Sequence, residues 1–501
     1  MRPKGSCVYR GIYFKEDLVM DLLIKGGKVV TSTSTIKADV AVTKGKITAI
    51  GANLKADKGA TVVDAKGKLV LPGAIDGHTH LAMPFGGTIA TDDYYTGTRA
   101  AVCGGTTTVF DFVLQGVGET MDAALERRDA LCKQDGPAAD YSYHIGVGDV
   151  TTPEMLASMD ECVKRGVTSF KVFMVYDFGV DDGQFFNTLQ HAAKIGALVG
   201  VHAENRDVNN ALIAQYLAEG KTSAWWHYMA KNEAVAGEAD VRAINLAKMA
   251  GASLYIVHLD NKQGVEAVAA AREEGYPIFA ETCPQYLALT NDVYRDEDKG
   301  FPKKYADLGL RPRDFVCSPP MKGKASQDAL WNGIKTGAVS TLATDHCPFL
   351  QSEKDWGITK KDGTPGDFTT IPNGCAGIEN MYPYILSEAN KGRISFNKAV
   401  EISATNPAKL FGIDDRKGSI EVGKDADIVI YDPKQKFVVK NAENQHGALD
   451  HTVWEDAEFK GYPVEVYLRG KKVFDNGEYV GQSGDGQFVK CNKVKFKGPE
   501  F

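Results

Sequence analysis

The sequence predicts an α/β protein: a (β/α)8 TIM-like barrel with a smaller β-sandwich domain formed from both chain ends. Three observations predict it. The first seventy residues, and the stretch after residue 411, alternate apolar and polar positions in the manner of strands. Between them, eight short apolar segments alternate with segments of helical length. Glycine is abundant, with 52 residues, which suits a fold with many tight turns.

Taken in order, strand patterns occupy Asp21–Val30, Ala38–Thr43, Lys46–Ile50, Thr61–Asp64 and Lys68–Leu71, and Gly26-Gly27, Lys44-Gly45 and Lys66-Gly67 punctuate them as turns. No helix-length periodic segment interrupts this run, so an antiparallel sheet is expected. From residue 74 the rhythm changes. Strand candidates at Ala74–His80, Thr106–Phe112, Tyr141–Val147, Thr168–Met174, Ala197–Ala203, Ser253–Leu259, Pro277–Cys283 and Ser340–Asp345 alternate with helical segments such as Met121–Cys132, Gly264–Glu274 and Ser326–Gly337. Eight β-α units over about 330 residues predict a closed barrel with insertions. An open doubly wound sheet is the alternative, but it rarely needs eight strands with this regularity. A helical stretch around Phe396–Phe411 precedes strands at Asp427–Tyr431, Val464–Arg469 and Lys471–Phe474, with turns at Gly423 and Gly470. The expected domains are therefore residues 1–72 and 411–501, which together form the β domain and a tail, with the barrel at 73–410 between them. Two separate β appendages are the other arrangement.

Composition excludes several classes of partner. The chain has 501 residues, 43% hydrophobic and 25% charged, the mix of an ordinary soluble globule. Its net charge of −7 lacks the basic footprint that nucleic acid requires. No stretch approaches the ~20 apolar residues of a membrane span. In Met1–Met20 the apolar positions are broken by Arg10, Lys15, Glu16 and Asp17, so no secretory leader is read there. Nine cysteines without a C-x-x-C pair are no disulfide framework; most are expected as buried apolar fillers, and a reducing cytoplasm suits them.

In a barrel of this kind chemistry sits at the C-terminal ends of the strands. His78 and His80 end the first strand, in Asp76-Gly77-His78-Thr79-His80, and positions i and i+2 of a strand share a face. His202 ends the fifth, His258 the sixth and Asp345 the eighth. Neutral imidazoles and a carboxylate suit Zn2+, with other divalent transition metals possible. A lone strand-end histidine is more often a satisfied core or surface residue; four with one aspartate at the mouth of the same barrel are much harder to obtain by accident. His144, His191, His227, His346, His446 and His451 keep the structural reading. Lys171 lies within the apolar run Ser169–Met174, where a bare ammonium is costly to bury. It is salt-bridged to a buried acid, or it snorkels, or its amine has reacted with CO2 to give a carbamate able to bridge two metals.

Several blocks in fixed order resemble the dihydropyrimidinase and D-hydantoinase family of cyclic amidohydrolases: Asp76–Thr88 (DGHTHLAMPFGGT), Ser169–Met174 (SFKVFM), His202–Asn205 (HAEN), Glu281–Leu287 (ETCPQYL), Ser318–Pro320, Asp345–Phe349 (DHCPF), Ile371–Gly374 (IPNG) and Lys417–Val429 (KGSIEVGKDADIV). The resemblance implies two Zn2+ per subunit bridged by a carbamylated Lys171, with His78, His80 and Asp345 completing one site and His202 and His258 the other. It implies that Tyr176 hydrogen-bonds the substrate carbonyl, that Ser318 and Asn373 hold the ring amide, and that Asp345 is the general acid/base. The loop Leu81–Thr88, with Met83 and Phe85, resembles the one that contacts the ring's exocyclic substituent. The implied activity is ring opening of dihydrouracil, dihydrothymine or hydantoins to N-carbamoyl amino acids by a metal-bridging hydroxide, in a cytoplasmic homotetramer.

Two departures stand out: Ala82 occupies a position often acidic in hydantoinases, and Asn441–Lys460 leaves the pattern. Ala82 also separates the chain from dihydroorotases, which place an arginine there to clamp a substrate carboxylate. An allantoinase is an alternative within the class, although the HTHLAMPFGGT and SFKVFM blocks favour the pyrimidine and hydantoin enzymes. A non-catalytic scaffold, like the dihydropyrimidinase-related proteins of neurons, is the alternative outside it; those have lost metal ligands, whereas all six are present here.

Overall fold

A computed structural model describes residues 19–500. The leader reading of the N-terminus falls almost wholly on residues 1–18, outside the described residues, as does Cys7. Five strands come first: β1 (Leu22–Val30), β2 (Thr35–Thr43), β3 (Lys46–Gly51), β4 (Thr61–Asp64) and β5 (Leu69–Pro72). The barrel begins with β6 (Ala74–Thr79), followed by the short hairpin β7 (Pro84–Phe85) and β8 (Thr88–Ile89). It continues through β9 (Thr106–Leu114), β10 (Asp140–Gly146), β11 (Ser169–Phe173), β12 (Leu198–His202), β13 (Leu254–Ile256), β14 (Ile278–Thr282) and β15 (Thr341–Leu342). The chain closes with β16 (Ile428–Val438), β17 (Glu458–Leu468), β18 (Lys471–Asp475) and β19 (Glu478–Tyr479).

All eight expected barrel strands are present, parallel, in the order β15-β14-β13-β12-β11-β10-β9-β6. Their residues are buried on both faces, which is why they read as continuous apolar runs rather than alternating ones. The ring closes where Thr79 bridges His346 and the His80 N–H donates to the His346 carbonyl at 2.8 Å. The strands of both chain ends form one sheet, ordered β19-β18-β17-β16-β5-β1-β2-β3, in which β5 pairs with β16 across some 360 residues of sequence. A second core of Leu22, Val40, Ile47, Val70, Ile428 and Val464 lies against it, and the two-appendage alternative falls. Among the described residues no helix is long and apolar enough to cross a membrane. The eight described cysteines are all buried and unpaired, as expected of apolar fillers.

The tail has a definite place. The Tyr141 N–H donates to the Gln487 carbonyl (3.0 Å), Val489 N–H returns to Tyr141 (2.8 Å) and Cys491 N–H reaches Gly166 (2.8 Å). Val489 and Cys491 join Ile75, Phe110, Phe279 and Phe411 in an apolar cluster of their own. Gly77 fits over that cluster only because it lacks a side chain: a Cβ there would stand 2.7 Å from the Phe411 ring.

Barrel and sheet are joined by one buried ion network. The Lys417 ammonium, 2% exposed, lies 2.6 Å from Asp140 Oδ2 on β10, 2.6 Å from Asp427 Oδ2 and 3.0 Å from Asp425 Oδ2. Arg469 also contacts Asp140, and its backbone N–H donates to Asp427 Oδ1 at 2.8 Å. Removing the central cation takes from Asp427 its ion-pair partner and leaves Asp140 to Arg469 and Asp425 to Lys46 and Arg416. Lys417→Met should therefore destabilise the fold by about 3–5 kcal/mol, read as a lowered midpoint in chemical unfolding. A change below about 1 kcal/mol would show that the acids find other partners.

Candidate active site

Most of the chemistry-bearing side chains stand where a barrel strand hands over to a loop, while Lys171 lies within β11 and His78 near the end of β6. After β12, Asn205 caps the helix Arg206–Ala218 by accepting from the Val208 N–H, so the chain turns within three residues of His202. After β13, Asn261 caps Lys262–Glu273 in the same way. The sixth and eighth strands are shorter than the sequence pattern suggests, and His258 and Asp345 lie beyond their ends with φ of +39° and +53°. Left-handed backbone at residues with a Cβ is unfavourable. Tyr176 (φ +70°) and Ala82 (φ +47°) share it.

The six sequence-predicted ligands converge. Asp345 Oδ1 is 3.1 Å from His78 Nε2 and 3.0 Å from His80 Nε2, and Lys171 Nζ is 2.9 Å from His78 Nε2. The His202 and His258 rings lie 4.5 Å apart edge to face, and His258 is 5.3 Å from His78. Tyr176, Ser318, Asn373, Met83 and Phe85 line the same cavity, together with Leu114, Phe173 and Phe178. Every residue singled out from the sequence as part of a site is thus in one place.

Burial and neighbouring charges shift the groups of this place in different directions. Burial pushes the Lys171 amine down to about 8 and His80 down to about 3, and holds His258 well below its ordinary range. For His78, burial and Lys171 oppose charging, yet the Glu281 and Asp345 carboxylates raise it above its ordinary value. Burial works against ionising Asp345 too, but His78, His80 and His258 hold its carboxyl well below the usual range. Two buried ring nitrogens, His80 Nδ1 and His258 Nε2, have no hydrogen-bond partner, an expensive condition unless something else binds them. Imidazole nitrogens, a carboxylate and a lysine amine within reach of one another are a donor set that divalent transition-metal ions fit.

Around this ring lies a layer that sequence reasoning missed. Glu281 Oε1 takes the His78 Nδ1–H at 2.7 Å, and Glu204 Oε2 takes the His202 Nε2–H at 2.7 Å while the Lys231 ammonium holds it at 2.8 Å. Asp76 accepts from the His78 and Thr344 N–H groups and from the Thr344 hydroxyl. Arg128 grips Asp111 at 2.8 Å and donates to the Ala82 carbonyl at 3.1 Å, while Asp111 accepts from the Leu81 N–H at 2.9 Å. The loop after the first two histidines is thus held through its backbone, and Ala82 needs no polar side chain there. A signal did exist: an acid inside an apolar strand, as in Ile278-Phe279-Ala280-Glu281, demands a partner. The six histidines given the structural reading bear it out where they are buried: His144 bonds Ser169 and the Gly77 carbonyl, and His346 pairs with Asp92.

Comparisons with known proteins agree with this geometry. Residues 69–473 match the model of the amidohydrolase family. The D-hydantoinase of Geobacillus stearothermophilus is 42% identical over 480 residues, covering 95% of this chain and 97% of the relative. That of Streptomyces coelicolor is 41% identical over 474 residues, covering 93% and 97%. The crystal structure of dihydropyrimidinase from Brevibacillus agri superposes with a TM-score of 0.88 at 39% identity, over 95% of this chain and all of that one.

Proposed function

The chain belongs to the amidohydrolase family and is a cyclic amidohydrolase, and from that premise we propose that it opens hydantoins or 5,6-dihydropyrimidines by hydrolysis to N-carbamoyl amino acids. The observation that carries this reading is the buried Lys171 amine, 2.9 Å from His78 Nε2 within a ring of histidines and Asp345. An amine brought down to about 8 keeps an appreciable free-base fraction near neutral pH. That fraction can add to CO2, forming an N–C bond and releasing one proton, and His78 Nε2 is near enough to accept it. His78, His80 and Asp345 would then hold one Zn2+ and His202 and His258 a second, with the Lys171 carbamate between them. Such ions, when bound, polarise a carbonyl and lower the pKa of water toward neutrality.

The protein's own groups supply the rest. The Asp345 carboxylate, kept ionised by its histidine neighbours, takes a proton from the attacking water and returns it to the leaving ring nitrogen. Burial raises the Tyr176 phenol far above its ordinary range, so its O–H stays a donor for the substrate oxygen as negative charge develops there. The Asn373 side-chain oxygen is buried without a partner and is free to accept from a ring N–H, beside Ser318. Met83, Phe85, Leu114 and Phe178 make the outer wall apolar and keep water from the ring's substituent.

Asp345→Asn should lower kcat by roughly 10²–10⁴-fold while metal content, read by elemental analysis, stays largely intact. Turnover near that of the wild type would remove its role. Tyr176→Phe should cost about 3 kcal/mol in kcat/KM, by analogy with loss of one oxyanion donor; a loss under about tenfold speaks against the assignment. On zinc-loaded protein, steady-state comparison should favour dihydrouracil, hydantoin and 5-phenylhydantoin over allantoin, whose polar ureido group would meet Met83 and Phe85. Preference for allantoin would replace this reading with the ureide one.

A further inference from the structure

Glu281 lies on β14, beside the strand that leads to His258 and 203 positions from His78 in sequence, and it contacts both residues. It is fully buried. Its Oε1 receives two N–H groups: the His78 Nδ1–H at 2.7 Å and the His258 backbone N–H at 2.9 Å. Its Oε2 receives the Tyr255 hydroxyl at 2.6 Å, and that hydroxyl lies 2.8 Å from Thr341 Oγ1. A backbone amide can only donate, so Oε1 is an acceptor here, and the imidazole nitrogen facing it carries the proton.

Two consequences follow for the metal ligands. With Nδ1 turned to Glu281 and protonated, His78 presents Nε2 to the site, and Nε2 is the atom within 2.9 Å of Lys171 Nζ and 3.1 Å of Asp345 Oδ1. At His258 the same oxygen holds the backbone at the one residue of the loop with φ +39°, a conformation that costs about 1–2 kcal/mol for a residue with a Cβ. One carboxylate therefore orients ligands of both proposed metal positions, His78 by its ring and His258 by its main chain. We propose that Glu281 is a positioning residue for the metal centre: it selects Nε2 as the ligating atom of His78 and locks His258 in its strained turn. The proposal rests on the metal-dependent reading above.

The test separates the two. Zinc dissociation constants are measured by chelator competition on wild type, Glu281→Gln and Glu281→Ala, with thermal unfolding of each metal-free protein as the control for folding. Glutamine keeps an acceptor for both N–H groups but loses the charge, and zinc should bind roughly 10-fold more weakly; alanine removes the acceptor, and the loss should reach roughly 100-fold. Nitrogen-15 spectra of the zinc-loaded wild type should show the His78 proton on Nδ1, a readout that does not depend on any variant folding. A proton on Nε2, or wild-type zinc affinity in a folded Glu281→Ala protein, overturns the proposal while leaving the enzyme reading intact. Wild-type protein that binds no zinc at all overturns both.

Discussion

The site depends on how the barrel is closed. β6 and β15 are not paired as strands, and beside the Thr79–His346 bridge what holds them is the carboxylate of Asp76, fully buried and pushed up by burial to about 6. It takes the Thr344 N–H at 3.0 Å and the Thr344 hydroxyl at 2.6 Å from one side and the His78 N–H at 3.2 Å from its own strand. The first and last strands of the ring are thereby tied at the position where His78, His80 and Asp345 must meet. A barrel that opened at this seam would retain most of its core and lose the whole arrangement, because the two halves of the ligand set lie on opposite sides of the seam.

The mouth of the barrel carries strain and charge that the rest of the fold supports. Nine described residues other than glycine have left-handed backbone, and Ala82, Tyr176, His258 and Asp345 are four of them. Lys44, Arg469 and Asn476 lie in hairpin turns of the sheet, and Asn53 and Asp456 lie in the segments flanking its strands. At the mouth the chain bends at the ends of barrel strands, and Ala82 and His258 are the second residues of turns there. Concentrations of this kind persist only where surrounding contacts over-determine the conformation. Glu281 on the His258 amide and the Asp92 carbonyl on the Ala82 amide are contacts of that sort.

Much of this was legible in the sequence, for a physical reason. Parallel strands buried on both faces leave uninterrupted apolar runs, so the eight strands could be counted, and histidines at the ends of such runs stand out against them. Lys171 was conspicuous because an ammonium inside Ser169–Phe173 has no local partner. The boundaries failed where chemistry intervenes: β13 ends at Ile256 and β15 at Leu342, since the residues that follow turn into the site instead of continuing the ladder. Glu281 was missed because His78 lies 203 positions away, and the Glu204–Lys231 pair because it forms across 27 positions, pairing being a property of the folded chain. The tail was opaque because its backbone bonds to Tyr141 and Gly166 carry no side-chain signature, and its side-chain partners, such as Asp140 for the Gln487 N–H, lie hundreds of positions away.

The two ends of the barrel divide the work. At the N-terminal end Lys417 and its three acids join barrel to sheet, and the tail packs Val489 and Cys491 against Phe411 and Phe279. None of these groups faces the cavity, and a substitution there is felt as stability. At the C-terminal end the buried charges are organised the other way. Lys417 is a cation surrounded by carboxylates and is satisfied by them. The ligand ring leaves His80 Nδ1 and His258 Nε2 without partners and brings the Lys171 amine down to about 8. A fold gains nothing in stability from such unmet groups. Their concentration at one end, opposite the ion-paired Lys417 at the other, is what a site built to receive metal ions and a polar ring requires.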